Sequence, residues 1–143
     1  MNRRFTQVAL GLVAVFAAAQ LVRPSSANPP TDPARTFGAH AGREVSAIVE
    51  RSCRDCHSNA TVWPRYAKVA PLSWLMSYAV TRGRSAVNFS EWSTYPPDVQ
   101  RMLLEASCQD ASAGTMPGVY TWLQPATRLS PGDVETICRA ARQ

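Results

Sequence analysis

The sequence predicts an all-α fold of about four short helices behind an apolar N-terminal segment. Apolar residues recur at helical spacing in four stretches, and proline or glycine separates these stretches. The 143 residues include 11 prolines and no long run of β-branched residues, which favours short helices joined by stiff loops. With 45% hydrophobic and 17% charged residues, the chain is predicted to be globular.

The four predicted helices occupy residues 42–58, 72–82, 96–108 and the segment after Ser130. In the first, apolar residues at 45, 48, 49 and 52/53 form one stripe, and charged residues take the opposite side. The second and third show the same spacing, with Met102 on the inward stripe of the third. Ser130 suits the N-cap of the last helix, because a proline follows it at the first helical position.

Residues 1–24 are predicted to be an export signal or an N-terminal membrane anchor. Two arginines precede an apolar run, and cleavage is plausible after Ala19 or Ala27. The apolar run over residues 5–22 approaches the ~20 residues that span a bilayer, which favours the anchor. Either alternative exports the rest of the chain to the periplasm, with attachment to the membrane possible through this segment.

Residues 25–36 are predicted to be a Pro-rich linker that holds the domain of residues 37–143 off the membrane. The formal charge of +5 includes three arginines of residues 1–24. The remaining excess of two positive charges is too small for a nucleic-acid-binding surface, so nucleic acid is not an expected partner.

Cys53, Cys56 and His57 form the CxxCH sequence that attaches haem in c-type cytochromes. Each thiol adds to one vinyl group, and residues three apart on a helical turn share a face. The histidine that follows is placed to bind the iron on the proximal side. One covalent haem c is therefore the predicted cofactor, whereas Arg54 and Asp55 are predicted to point outward with little constraint.

Further motifs follow the CxxCH sequence in a fixed order. They are Cys56-His57-Ser58-Asn59, Trp63-Pro64, Tyr66, Ala70-Pro71, Ser73-Trp74, Gly83-Arg84, Asn88-Phe89-Ser90, Trp92, Gly114-Thr115-Met116-Pro117 and Tyr120. In these motifs and their spacing the chain resembles a family of small bacterial haem-binding domains with a single CxxCH. The resemblance implies an exported c-type haem domain. Tyr78 and Gln124 stand where family members often have histidine, so neither position supplies an iron ligand here.

The sixth iron position has three possible states: bound by Met116, bound by His40, or open. Met116 is favoured because it lies in a proline-stiffened loop between two glycines, and a thioether is a common distal ligand of c-type haem. Met76 and Met102 lie on helical stripes, where methionine is usually a core residue. His40 is expected to be an exposed loop residue.

Five aromatic residues are predicted to form the apolar walls of the haem pocket: Trp63, Tyr66, Trp74, Phe89 and Trp92. Three arginines are candidates for contacts with the haem propionates or for solvated surface: Arg65, Arg82 and Arg84. Cys108 and Cys138 are predicted to form a disulfide in an oxidising compartment, with two buried free thiols as the alternative.

Together these observations predict a small cytochrome c-like domain wrapped around one haem. One-electron transfer outside the cytoplasmic membrane, with redox proteins as partners, is the favoured function. A haem-based sensor and a small peroxidase-like subunit are the alternatives if the iron is open, and a haem-free dithiol oxidoreductase is a remote third.

Overall fold

The computed structural model describes residues 2–143, and no β-strand occurs among them. Eight α-helices follow one another: α1 (Arg3–Ala19), α2 (Phe37–His40), α3 (Arg43–Ser52), α4 (Arg54–His57), α5 (Leu72–Ala86), α6 (Pro97–Ala113), α7 (Tyr120–Leu123) and α8 (Pro131–Ala140). Four 3₁₀ turns lie between them: Pro33–Arg35, Arg65–Lys68, Phe89–Thr94 and Pro125–Thr127. The all-α prediction is confirmed. The helices outnumber the predicted four because α1 and the single turns α2 and α7 are added, and the predicted first helix is divided into α3 and α4.

The hydrophobic core lies where α3, α6 and α8 meet the 3₁₀ turn Phe89–Thr94. Its buried members are Phe37, Val45, Ile48, Val49, Val87, Phe89, Trp92, Ala111 and Ile137. The apolar stripe of α3 faces this core as its spacing predicts, with its charged residues outside. The rings of Phe37 and Trp92 meet edge to face, with centroids 4.8 Å apart.

The predicted first helix is divided in two at Cys53. The helix α3 ends at Ser52, and α4 begins at Arg54 after Cys53 adopts a φ of −117°. The Cys53 carbonyl then accepts hydrogen bonds from the amides of Cys56 (3.3 Å) and His57 (2.9 Å). The chain therefore turns at the first cysteine instead of continuing straight through the motif.

The helices α5 and α6 are longer than predicted, and α8 begins where it was predicted to begin. Ser130 and Asp133 form a reciprocal capping box at the start of α8. Cys108 and Cys138 form a disulfide that joins α6 to α8, with their Cα atoms 4.7 Å apart. Met102 is exposed on α6, so its predicted place on the inward stripe is wrong.

The apolar leader forms α1, whose large apolar side chains are exposed along its length. No helix within residues 2–143 has both the length and the apolar character needed to cross a bilayer.

The segment after α1 lies against the domain, whereas the sequence predicts a free spacer. The Gln20 side chain accepts from the Ala70 amide (3.0 Å), and the Trp74 indole donates to the Val22 carbonyl (2.8 Å). Further along, Asn28 donates to the Thr61 carbonyl (2.9 Å). These hydrogen bonds fix the course of the linker over the domain surface.

Candidate haem-binding site

A cleft of about 180 Å³ lies beside α4, between α3 and α6. Cys53, Cys56, His57, Phe89 and Met116 all line it. Its walls are mainly aliphatic and come from α3, α6, α8 and the adjoining loops: Val45, Val49, Val87, Leu103, Leu104, Leu129 and Ile137. The structure thus brings the CxxCH residues and the favoured distal methionine to one apolar cleft.

The two cysteines of the motif are free thiols whose proton affinity is raised. Burial, and then the neighbouring Cys56, raise the pKa of Cys53 to about 12. Burial, and then the charge of Asp55, raise the pKa of Cys56. Both thiols are therefore protonated at neutral pH. Dithiol oxidoreductases instead lower the pKa of the attacking thiol, so this environment does not favour the dithiol alternative.

The His57 ring is oriented by the end of α5. Its Nδ1 lies 3.3 Å from the Val87 carbonyl oxygen, which can only accept, so Nδ1 carries the proton. Burial lowers the pKa of His57, although the hydrogen bond to Val87 opposes the shift. The ring is therefore neutral, with its lone pair on Nε2, as a metal-binding histidine requires.

The end of α5 also holds the backbone around this motif. Gly83 faces α4 so closely that an added Cβ would overlap the Cys56 carbonyl oxygen and lie 2.8 Å from the carbonyl carbon. The Arg84 guanidinium donates to the Ser58 carbonyl (2.8 Å) and to Thr61 Oγ1 (2.9 Å). Arg84 therefore clamps the chain just after His57. It does not line the cleft, and neither do Arg65 and Arg82, the other candidates for the propionates.

Polar residues, most of them buried, also connect the segment after His57 to the segment 88–90. The Asn59 amide donates to Ser90 Oγ (3.0 Å), and the Asn88 side chain donates to Asn59 Oδ1 (2.8 Å). These residues belong to the Ser58-Asn59 and Asn88-Phe89-Ser90 motifs. Their polar side chains thus hold two loops together beside the cleft.

Four of the five predicted aromatic wall residues do not line the cleft. Trp92 is buried behind Phe89, with ring centroids 6.0 Å apart. The indoles of Trp63 and Trp74 donate to Asn28 Oδ1 (3.3 Å) and the Val22 carbonyl (2.8 Å), so both hold the linker. Tyr66 is partly buried in the 3₁₀ turn after Pro64. The walls are instead formed by aliphatic residues. The spacing of these residues along the sequence is the same as that of an ordinary hydrophobic core, so it does not identify them as pocket residues.

The alternative ligands lie elsewhere. His40 does not line the cleft, and its Nε2 lies 2.8 Å from the Ala34 carbonyl oxygen. Met76 is buried within α5, and Met102 is exposed on α6. Of the methionines and histidines considered for the sixth position, Met116 is therefore the one at the cleft.

Met116 lies in a loop whose start is set by a glycine C-cap. Gly114 ends α6 with a φ of +69°, a left-handed conformation that favours glycine. The amides of Thr115 (3.0 Å) and Met116 (3.4 Å) then donate to the Asp110 carbonyl. Met116 itself remains 50% exposed at the mouth of the cleft.

Asp55 and Tyr120 are site residues that the sequence did not reveal. Asp55 is not free in solvent as predicted; it lines the cleft and accepts from the Tyr120 hydroxyl (3.0 Å) and the Val62 amide (3.1 Å). Burial, and then the charge of Asp55, raise the pKa of Tyr120, which stays protonated and donating. The two residues are 65 positions apart in the sequence, so no local pattern signals this contact.

The residues present fit a covalently attached haem. The cleft combines two thiols, a neutral imidazole, a thioether and apolar walls. The buried Ser52 hydroxyl also lines it and has no hydrogen-bond partner within residues 2–143, so a polar edge of a ligand could satisfy it. Among the same residues, no three His, Cys, Asp or Glu side chains cluster as ligands of a bare metal ion.

Comparison with known proteins gives one match. No curated protein and no solved structure matches the chain. A family model described as a haem-binding domain matches residues 14–143, which include the end of α1, the linker and all of the cleft. The chain therefore belongs to the haem-binding domain family.

Proposed function

We propose that this chain is a monohaem c-type cytochrome that transfers single electrons outside the cytoplasmic membrane. The observation that carries the proposal is the meeting of Cys53, Cys56, His57 and Met116 at one apolar cleft. Cys53 and Cys56 would hold the haem through two thioether bonds. His57 would bind the iron through Nε2, and Met116 through its sulfur.

The residues around the cleft support a carrier rather than a catalyst. Bound haem iron supplies a one-electron couple, and a thioether ligand raises its reduction potential. The aliphatic walls lower the local dielectric around the site, which also acts on the potential. Because Val87 and Gly83 fix the proximal side, little of the protein has to move when the charge on the site changes.

The location and partners in the proposal rest on the sequence. The basic and apolar leader is typical of an exported chain, and the Cys108–Cys138 disulfide suits an oxidising compartment such as the periplasm. The partners would be redox proteins.

One observation favours a haem-based sensor as the second candidate. Met116 is half exposed on a loop, so its bond to iron could be exchanged for an external ligand. A peroxidase-like reaction is less well supported, since it needs a distal acid–base group and His40 lies outside the cleft.

Optical spectra of the exported holoprotein would separate the two candidates. A carrier with His57 and Met116 as ligands should be low-spin in both oxidation states, bind carbon monoxide poorly and show the weak red sulfur–iron band when oxidised. Met116→Ala should abolish this band, lower the reduction potential and open the iron to carbon monoxide. Met102→Ala, an exposed methionine on α6, is the matched control and should change none of these properties.

A wild-type iron that is high-spin or that binds carbon monoxide readily would favour the sensor. If His40→Ala changes the spectrum and Met116→Ala does not, the sixth iron ligand would be His40 and not Met116.

A further inference from the structure

We propose that the Tyr120–Asp55 hydrogen bond is a latch that holds the Met116 loop over the haem cleft, which makes Tyr120 and Asp55 positioning residues for the distal ligand. The inference rests on the proposed function, because it assumes that Met116 binds the iron. It adds a role for the second variable residue of the CxxCH motif.

The loop that the latch would hold, residues 114–123, is otherwise weakly attached. Among these residues no side chain is fully buried, and Val119 and Trp122 are 82% and 84% exposed. The short helix α7 packs mainly on the next turn, Pro125–Thr127, which belongs to the same segment of chain. Few contacts other than the one from Tyr120 therefore tie the middle of the loop to the rest of the domain.

The two ends of the Met116 segment are fixed in different ways. On the α6 side, Thr115 bonds through its hydroxyl to the Asp110 carboxylate (2.8 Å) and through its amide to the Asp110 carbonyl (3.0 Å). On the other side, four residues after Met116, the Tyr120 hydroxyl reaches across to Asp55 (3.0 Å). Met116 lies between these two attachments.

The acceptor of the latch is itself held firmly. The second oxygen of the Asp55 carboxylate accepts from the Val62 amide (3.1 Å), and Thr61 donates to the Asp55 carbonyl (2.8 Å). Thr61 in turn bonds to Arg84, which clamps the chain after His57. The latch therefore joins the more exposed side of the cleft to its most constrained side.

The chemistry of the pair suits this role. The hydrogen bond is partly buried, and its acceptor is a carboxylate, so it is stronger than a bond between two neutral groups. Burial, and then the charge of Asp55, raise the pKa of Tyr120, so the phenol donates at any physiological pH.

The test uses the holoprotein and removes one hydroxyl at a time. Tyr120→Phe should speed carbon monoxide binding to the reduced protein by roughly tenfold, because losing a hydrogen bond to a charged acceptor raises the population of the open loop. The sulfur–iron band should weaken, and the amides of residues 116–123 should exchange hydrogen faster. Tyr78→Phe, at an exposed tyrosine of α5, is the matched control and should behave as wild type.

Four further measurements make the outcome decisive. Asp55→Ala should reproduce the effect of Tyr120→Phe, and the double variant should be no faster than either single variant, since both remove one interaction. In a Met116→Ala background, Tyr120→Phe should have little further effect on carbon monoxide binding. Unfolding curves of each variant would show that the fold is retained.

The latch is overturned if Tyr120→Phe leaves carbon monoxide binding and exchange unchanged while Met116→Ala opens the iron. Additive effects of the two latch substitutions would also overturn it. If Met116→Ala itself changes nothing, the proposed ligation fails, and the latch fails with it.

Discussion

The two sides of the haem cleft are built differently. On the attachment side, residues 53–57 are held by a glycine contact, a histidine–carbonyl hydrogen bond and the Arg84 clamp, all from the end of α5. On the distal side, Met116 lies on an exposed loop that a C-cap and one tyrosine hold in place.

If haem binds as proposed, this difference would let the protein combine a firmly held cofactor with an iron whose distal ligand is held by few contacts. A rigid attachment side presents the two thiols and the imidazole in one arrangement before any ligand binds. If Met116 binds the iron as proposed, the weakly held loop would make this ligation, and with it the reduction potential, depend on a few contacts. Substitutions on the attachment side should therefore change global stability, and those in the loop should change ligation.

Gly83→Ala should give the largest loss of stability. The added methyl group would overlap the Cys56 backbone, which cannot move aside as a flexible side chain could. We expect α5 to shift and the free energy of unfolding to fall by about 3 kcal/mol or more. Denaturant unfolding of purified protein measures the change.

Gly38→Ala is the matched control, because an added Cβ there meets nothing within 4 Å. It should leave stability equal or slightly higher. Equal stability of both variants would show that the close contact between α5 and the attachment side has little importance.

Removal of the Cys108–Cys138 disulfide should have the next largest effect. This bond joins α6 to α8 across the wall of the cleft, and it closes a long stretch of chain. Cys108→Ser with Cys138→Ser should lower stability by about 2–4 kcal/mol in the chain-entropy model. Unfolding curves with and without reductant would test this, since reductant should destabilise the wild type and leave the double variant unchanged.

Arg84→Ala should cost about 2 kcal/mol and act on the attachment side alone. The substitution removes hydrogen bonds to the Ser58 carbonyl, Thr61 and Asn28 from a partly buried cation. Arg82→Ala is the control, because it removes an exposed arginine two positions before Arg84 in the same helix. If both variants lose the same stability, the clamp contributes nothing beyond the loss of an ordinary surface arginine.

Gly118→Ala should have the smallest effect on stability and a visible effect on ligation. Gly118 has a φ of +53°, and its added Cβ would lie 2.6 Å from the Thr115 carbonyl oxygen. Because the loop can rearrange locally, we expect a global loss of only about 1 kcal/mol. The sulfur–iron band should weaken more than stability falls. A variant that loses as much stability as Gly83→Ala would remove the contrast between the two sides.

The helices were largely predictable because their apolar stripes have helical spacing. The bend at Cys53 was not, since the apolar spacing continues through it without a proline or glycine to mark a break. The aromatic walls were predicted from residue type alone, which does not say which way a ring faces. Trp63 and Trp74 use their indole N–H groups to hold the linker, and aliphatic residues form the walls instead.

The candidate site was predictable as far as its local motif extends. Cys53, Cys56 and His57 form a contiguous signature, and the Met116 loop is conspicuous because it is not helical. The partners that orient these residues lie far along the chain, as with Val87 for His57 and Tyr120 for Asp55. Such contacts depend on the fold and cannot be predicted from the spacing of residues along the sequence.

Acid–acetone extraction of the exported protein tests the central claim most directly. Produced with a cytochrome c maturation system, the wild type should keep its haem on the polypeptide, because thioether bonds survive this treatment. The variant with Cys53→Ala and Cys56→Ala should release any haem that it binds. Free extraction of haem from the wild type would contradict covalent attachment at Cys53 and Cys56.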